Sequence, residues 1–316
     1  MRKTSLFEDF QDFLQVRASL GYSTEMYKSY LQQFISFCEQ TYGRDTEITR
    51  QILDEWLLGK EFSSSKTKSN AIGNIRSFTC YQQSIGKQTF IPSPDEYRQP
   101  RHPARKAYIF TDHELEIIFN TFDSMEPCKA SFHRELINPV LFRMMFCCGM
   151  RPAEPLSLKT TDVNLKTGEI IIRQAKGRKD RRIVMSQDLC NLCGKYDSFF
   201  PRTREFFFQR EDSRPFKTRW MDNQFNICLR DCGLAFRNKP RPYDLRHSFA
   251  TRTIMRWVDE KKDVMAYLPY LSAYMGHSSI GDTLYYIHLL PGRLKTSDGI
   301  DWNLLNHVYE EGGSKL

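Results

Sequence analysis

Apolar residues recur at helical spacing through residues 1–96. Leu6, Phe7, Phe10, Phe13 and Leu14 follow Ser5-x-x-Glu8, the form of a capping box, and predict a first helix that Gly21 stops. Ser23 is the expected cap of a second helix, whose stripe is Met26, Tyr27, Tyr30, Leu31, Phe34 and Cys38 and which Gly43 ends. Ile48, Ile52, Leu53, Trp56 and Leu57 predict a shorter third. The polar run from Phe62 to Ser69 opens a fourth, carrying Ile72, Ile75, Phe78 and Tyr81. Pro92, Pro94, Pro100 and Pro103 then mark a linker over residues 97–107, with Arg98, Arg101, Arg105 and Lys106 among them. Side chains of that kind can each sit on a phosphate.

Residues 108–316 read differently. Thr111-x-x-Glu114 caps a helix with Leu115, Ile118 and Phe119 inward, and Leu141 to Cys148 form an apolar helix that ends at Gly149. After Arg151 the period changes. Val163 with Leu165, then Ile170 to Ile172, then Ile183 to Met185 predict three short strands. Turns at Lys166-Thr167-Gly168 and at Lys176 to Asp180 join them. Helical spacing then resumes and closes on an apolar tail pattern of Ile300, Trp302, Leu304, Leu305 and Val308. The expected fold is mainly α with a small antiparallel three-stranded sheet: a helical domain over 1–96 and a mixed α/β domain over 108–316.

The chain of 316 residues carries a formal net charge of +8 and a pI near 8.9, a balance that favours a polyanionic partner such as nucleic acid. No apolar run is long enough to span a bilayer, and Glu8 and Asp9 interrupt any secretory leader, so a cytoplasmic protein without membrane contact is expected. Nine cysteines include Cys190 with Cys193 and Cys228 with Cys232. A zinc site is one reading. Their helical spacing among Leu189, Leu192, Ile227 and Leu229 favours core packing, and no metal or other cofactor is expected.

Chemistry concentrates in an ordered set: Arg151, then Tyr243-Asp-Leu-Arg246-His247, then Gly276-His277, then Tyr286. Two planar guanidinium forks can clamp a phosphate bidentately and hold the charge that spreads over its oxygens during attack. A tyrosine that follows them can be the attacking group.

The words around these residues sharpen the reading. Cys148-Gly-Met-Arg151-Pro-Ala-Glu154-Pro-Leu-Ser-Leu158 resembles the first arginine box of the tyrosine recombinases, the phage-type integrases. Asp244-Leu-Arg246-His247-Ser-Phe-Ala-Thr251 is similar to their second. Gly276-His277-Ser-Ser-Ile280 with Thr283 and Tyr286-Ile-His288 is similar to their nucleophile box. The resemblance implies that Arg151 and Arg246 are the catalytic arginines, and that Tyr286 forms a 3′-phosphotyrosine bond and frees a 5′-hydroxyl. Tyr285 is the neighbouring alternative. Lys176, on the turn between the second and third strands, matches the family's general acid, with Lys179 close by. His277 is expected on the scissile phosphate, and Glu154 is expected to orient its neighbours. Tyr243 stands where the family has histidine; a phenol is a poor base but can hydrogen-bond, so the proton acceptor stays open and His247 is not a simple substitute. The 31 positions from Arg246 to His277 exceed the compact family pattern, which predicts a loop and helix extension around Trp257 to Tyr270.

The resemblance further implies a DNA-binding N-terminal domain, a clamp on double-stranded DNA, and a homotetramer on paired sites that exchanges strands through a Holliday junction. Accessory DNA-bending or directionality proteins would assist it. Integration or excision of a mobile element is the expected task. The alternatives are chromosome-dimer or plasmid resolution, a type IB-like topoisomerase, and an inactive sequence-specific DNA-binding protein. The tail docks on a neighbouring protomer in the family; packing on its own domain is the other reading.

Overall fold

The computed structural model describes residues 5–22, 24–97, 105–173, 180–201 and 203–289. Contacts divide the chain into two compact units, Met1–Arg105 and Lys106–Leu316, each with its own core.

The first unit holds α1 (Leu6–Ser19), α2 (Glu25–Tyr42), α3 (Arg50–Gly59) and α4 (Ser65–Ser84). The Ser5–Glu8 capping box forms in both directions, and Ser64 caps α4 through the Thr67 N–H. The second helix begins after Thr24, whose side chain makes no cap bond; Ser23, the expected cap, lies outside the described residues. Apart from Phe7, which is exposed, and Met26, whose side chain lies outside those described, the predicted stripes meet in one cluster, where Phe13 packs edge-on against Phe78 at 5.7 Å and Phe34 against Trp56 at 5.2 Å. Each such ring removed from water is worth about 2 kcal/mol. Asp9 is buried in this unit. Gln82 and Lys87 donate to its carboxylate at 2.9 and 2.7 Å, which ties α1 to the far end of α4.

The second unit runs α5 (Asp112–Asp123), α6 (Arg134–Cys148), α7 (Ala153–Leu156), β1 (Glu169–Ile172), β2 (Arg181–Val184), α8 (Gln187–Ser198), α9 (Thr218–Asp231), α10 (Pro242–Asp259), α11 (Val264–Met275) and α12 (Gly281–His288). The capping box at Thr111 and Glu114 forms as its spacing predicts. α6 is the central helix, packed against α5, α8 and α10. Phe142 on α6 stacks on Phe122 of α5 at 4.3 Å. Cys190, Cys193 and Cys228 are buried in this core, as their apolar neighbours suggested.

Among the described residues the sheet has two antiparallel strands, with Ile170 opposite Ile183, and not the three expected. The first predicted strand shrinks to one bridge, Val163 to Ile170. Its neighbours are committed elsewhere. Thr160–Asp162 form a 3-10 turn, and the Asn164 side chain accepts from the Lys166 and Thr167 N–H groups to cap the next turn. The hairpin tip, residues 174–179, lies outside the described residues.

The expected extension before His277 is almost all helix. α10 continues to Asp259, turns through Lys261 in the left-handed region, and α11 returns. α10, α11 and α12 share a second core of Ile254, Val264, Leu268, Met275, Leu284 and Ile287, which also encloses Tyr286.

Two left-handed glycines end the helices that matter most. Gly149 closes α6 at φ +61°, and Gly276 closes α11 at φ +65°. A Cβ on Gly149 would lie 2.4 Å from Cδ1 of Phe249 on α10. Gly149→Ala is therefore expected to destabilise this unit by about 2–3 kcal/mol, combining left-handed strain with overpacking. Denaturant unfolding checks it, and an unchanged midpoint would contradict it.

Candidate active site

A helix leaves its last carbonyls without partners, and these sit at the negative end of its dipole. Here the arginines supply the partners. Arg246, on the second turn of α10, is fully buried. Its Nη1 donates to the Gly149 carbonyl at 2.6 Å, and its Nη2 donates to the Met275 carbonyl at 2.7 Å. Arg246 thus joins the ends of α6 and α11. Its Nε is buried with no hydrogen-bond acceptor. Arg151, two residues beyond Gly149, donates from Nη2 to the Gly276 carbonyl at 2.5 Å and from Nη1 to Glu154 at 3.0 Å.

The local fold dictates these positions. α10 starts at Pro242, whose fixed φ suits a first turn. The N-cap is Arg241. Asp244 sits at the third helical position and accepts the Arg241 N–H at 2.8 Å, so Arg246 lies inside the helix and not at its free N-terminus.

Glu154 is the anion of the site. Arg181 grips it with two bonds, of 2.8 and 2.6 Å, and the Arg151 backbone N–H adds a third at 2.7 Å. Burial alone raises its pKa, but hydrogen bonding and charge from Arg181, the Arg151 N–H and Arg246 outweigh burial and hold it below the usual 4.5. Arg181 was not singled out in the sequence. It carries β2 onto the site, and its Nε donates to the Tyr274 carbonyl at 2.9 Å. Its signal was there to be read: it shares a strand face with buried Ile183, an inward position for a charge. Three arginines against one glutamate leave an excess of positive charge, which suits an anionic ligand.

His277 stacks on Tyr286 with ring centroids 5.9 Å apart. Arg246 Nη2 lies 3.0 Å from its Nε2, and Thr283 Oγ1 lies 2.7 Å from its Nδ1. A guanidinium only donates, so Nε2 accepts, Nδ1 carries the hydrogen, and the ring is neutral in this arrangement. Thr283 is fully buried.

Tyr286 is buried, 2% exposed, whereas Tyr285 is half-buried. Burial pushes the Tyr286 phenol up to about 12, against the pull of Arg246 and Arg151. Tyr243, on the first turn of α10, borders the same cluster through the ring of His247. His247, one turn further along α10, lies with its ring 4.9 Å from Tyr243 and 5.6 Å from Tyr286. The structure therefore brings together Arg151, Tyr243, Arg246, His277 and Tyr286. Lys176 lies outside the described residues.

The pattern of the phage integrase family matches residues 109–293. The chain belongs to that family, the tyrosine recombinases. Among its relatives is the Sinorhizobium fredii protein named "Putative integrase/recombinase y4rB", 26% identical over 90% of this chain and 93% of that one. The tyrosine recombinase XerD of Listeria monocytogenes is 25% identical over 92% of this chain and 96% of its own length. The fold is similar to that of XerH recombinase bound to its palindromic difH substrate, with a TM-score of 0.59, 21% identity, and coverage of 85% of this chain and 77% of that one. A Tn1549 transposon integrase in complex with a circular-intermediate DNA gives a TM-score of 0.60 at 14% identity, covering 96% and 98%. The recombinase fold is thus present as the resemblance implied, mostly helical with a small antiparallel sheet.

Breaking a buried ion pair by removing one partner typically costs about 3–5 kcal/mol. Glu154→Gln should cost this second unit about 3 kcal/mol, because Arg181 is left charged and unpaired. The pH dependence follows from the depressed carboxyl. Its stabilisation is complete above the unfolded value, near 4.5, and is lost as pH falls through the lower folded value. Unfolding midpoints measured across acid pH should show this loss in the wild type and not in Glu154→Gln. Parallel curves would refute it.

Proposed function

We propose that this chain is a site-specific recombinase that breaks and rejoins duplex DNA through a covalent bond between Tyr286 and a 3′-phosphate. One observation carries the reading. Arg246 is fully buried and its Nε meets no acceptor, with Arg151 and the Tyr286 phenol beside its guanidinium, so a donor remains for a scissile phosphate.

The chemistry follows from the groups present. Arg246 donates Nε, and Arg151 the donors it has left, to the non-bridging oxygens, where charge grows in the transition state. Both guanidinium groups are held in advance by carbonyls and by Glu154, so little reorganisation accompanies reaction. A phosphate would compete with His277 for Arg246. The ring can then change tautomer, giving its Nδ1 proton to solvent and taking one from solvent at Nε2, so that the Thr283 hydroxyl donates to Nδ1 and Nε2–H donates to the phosphate. Tyr286 attacks phosphorus, and the 5′-oxygen leaves with a proton from Lys176, a role that rests on the family resemblance. The phosphotyrosine conserves the bond energy, so rejoining needs no nucleotide or metal.

In this reading the helical first unit binds core-site DNA, and four copies act on two sites through a Holliday junction. Accessory DNA-bending or directionality proteins select the outcome. The substrate is double-stranded DNA in the cytoplasm, and the task is integration or excision of a mobile element.

Nicked duplexes that trap a cleaved strand test the reading. Wild-type protein should form a covalent adduct on a preferred site. Tyr286→Phe should lose it by at least about a thousandfold while still binding that site. An adduct that survives in Tyr286→Phe contradicts the assignment. Relaxation of supercoils without site preference would indicate topoisomerase activity, and tight specific binding without adduct an inactive DNA-binding protein. Tyr243→His should retain or raise adduct formation in the same assay, and complete loss would show that the phenol has a role of its own.

A further inference from the structure

One proton remains unassigned, that of the Tyr286 hydroxyl. With the phenol pushed up to about 12 by burial, attack at neutral pH needs an acceptor for it. The neighbouring candidates are occupied or weak. Both nitrogens of His277 are engaged, by Arg246 and by Thr283. The Glu154 carboxylate is held by Arg181 and the Arg151 N–H. Tyr243 is itself a phenol, a poor base in its neutral form.

His247 has what they lack. Its imidazole lies within the tyrosine cluster, 4.9 Å from Tyr243, 5.6 Å from Tyr286 and 6.1 Å from Tyr285, measured between ring centroids. Its Nδ1 is buried without any hydrogen-bond partner. A buried ring nitrogen with no partner is costly unless something else arrives to use it. We propose that the imidazole of His247 accepts the proton that leaves Tyr286 as it attacks the phosphate. The inference rests on the recombinase reading above and adds the base that the departure at Tyr243 left open.

The titratable groups facing the ring fit this use. On its own helix and cap these are Arg241, Tyr243, Asp244 and Arg246, and from α12 they are Tyr285 and Tyr286. Burial first, with Arg246 and Arg241 adding to it against Asp244, pushes the imidazole down to about 4, so it is neutral and able to accept at physiological pH. A phosphodiester held by the arginines adds a negative charge nearby and draws its proton affinity back up. In the step itself, the Tyr286 oxygen bonds to phosphorus as its proton passes to Nδ1. The bond from phosphorus to the 5′-oxygen breaks, and that oxygen takes a proton from Lys176. Rejoining runs the same transfers backwards, with the imidazolium returning its proton to the phenolate oxygen.

The test is single-turnover adduct formation on a nicked duplex from about pH 6 to about pH 9 by wild type, His247→Asn and His247→Gln, with binding to the same duplex as the check on folding. Asn and Gln can accept a hydrogen bond but not keep a proton. At pH 7 both should be slower by about a hundredfold with binding retained. The deficit should shrink by close to tenfold per pH unit as hydroxide replaces the lost base. Because each rate is divided by the wild-type rate at the same pH, titration of other groups cancels. A deficit that is constant with pH means His247 only packs, and it overturns the proposal, as does full activity in either variant. Wild-type adduct with a constant deficit sinks this inference alone; no wild-type adduct on any duplex sinks the recombinase reading with it.

Discussion

The catalytic half of this molecule depends on one constraint, the unpaired carbonyls at the C-terminal ends of two helices. α6 ends at Gly149 and α11 at Gly276, both in the left-handed region. Left alone and buried, each free carbonyl would cost about 1–3 kcal/mol. Arg246 spans both ends, and Arg151 takes the Gly276 carbonyl. In the proposed function, backbone satisfaction and phosphate binding therefore use the same guanidinium groups. In the proposed mechanism these carbonyls hold the arginines in place before DNA binds, which is the property a transition-state clamp requires.

The remaining parts follow from that junction. Glu154 sits one short turn beyond Arg151 and collects Arg181, so a buried carboxylate ties the sheet to the clamp. α12 packs on α10 and α11, which buries Tyr286 against His277 and His247. Burial makes the phenol a reluctant nucleophile and at the same time places it among groups that can activate it.

Much of this was legible in the sequence because it rests on local rules. Capping boxes at Ser5 and Thr111 formed as spaced, and the apolar stripes of the first four helices became one core. The ordered set from Arg151 to Tyr286 converged because the boxes carry their own turns, each glycine preceding its site residue by one or two positions. What was hidden depended on tertiary partners. The predicted strand at Val163 and Leu165 failed because the Asn164 side chain caps a turn. Arg181 and His247 gain meaning only when Glu154 and Tyr286 arrive from distant stretches of chain. The inward strand position of Arg181 was the one local hint.

The central claim is that Tyr286, and no other residue, becomes joined to DNA in the arginine-lined site. The most direct measurement is mass-spectrometric mapping of the peptide that remains attached to a trapped nicked duplex, with EDTA present throughout. The account predicts a phosphotyrosyl peptide modified at Tyr286. Attachment at Tyr285, at another residue, or only when a divalent metal is restored would contradict it.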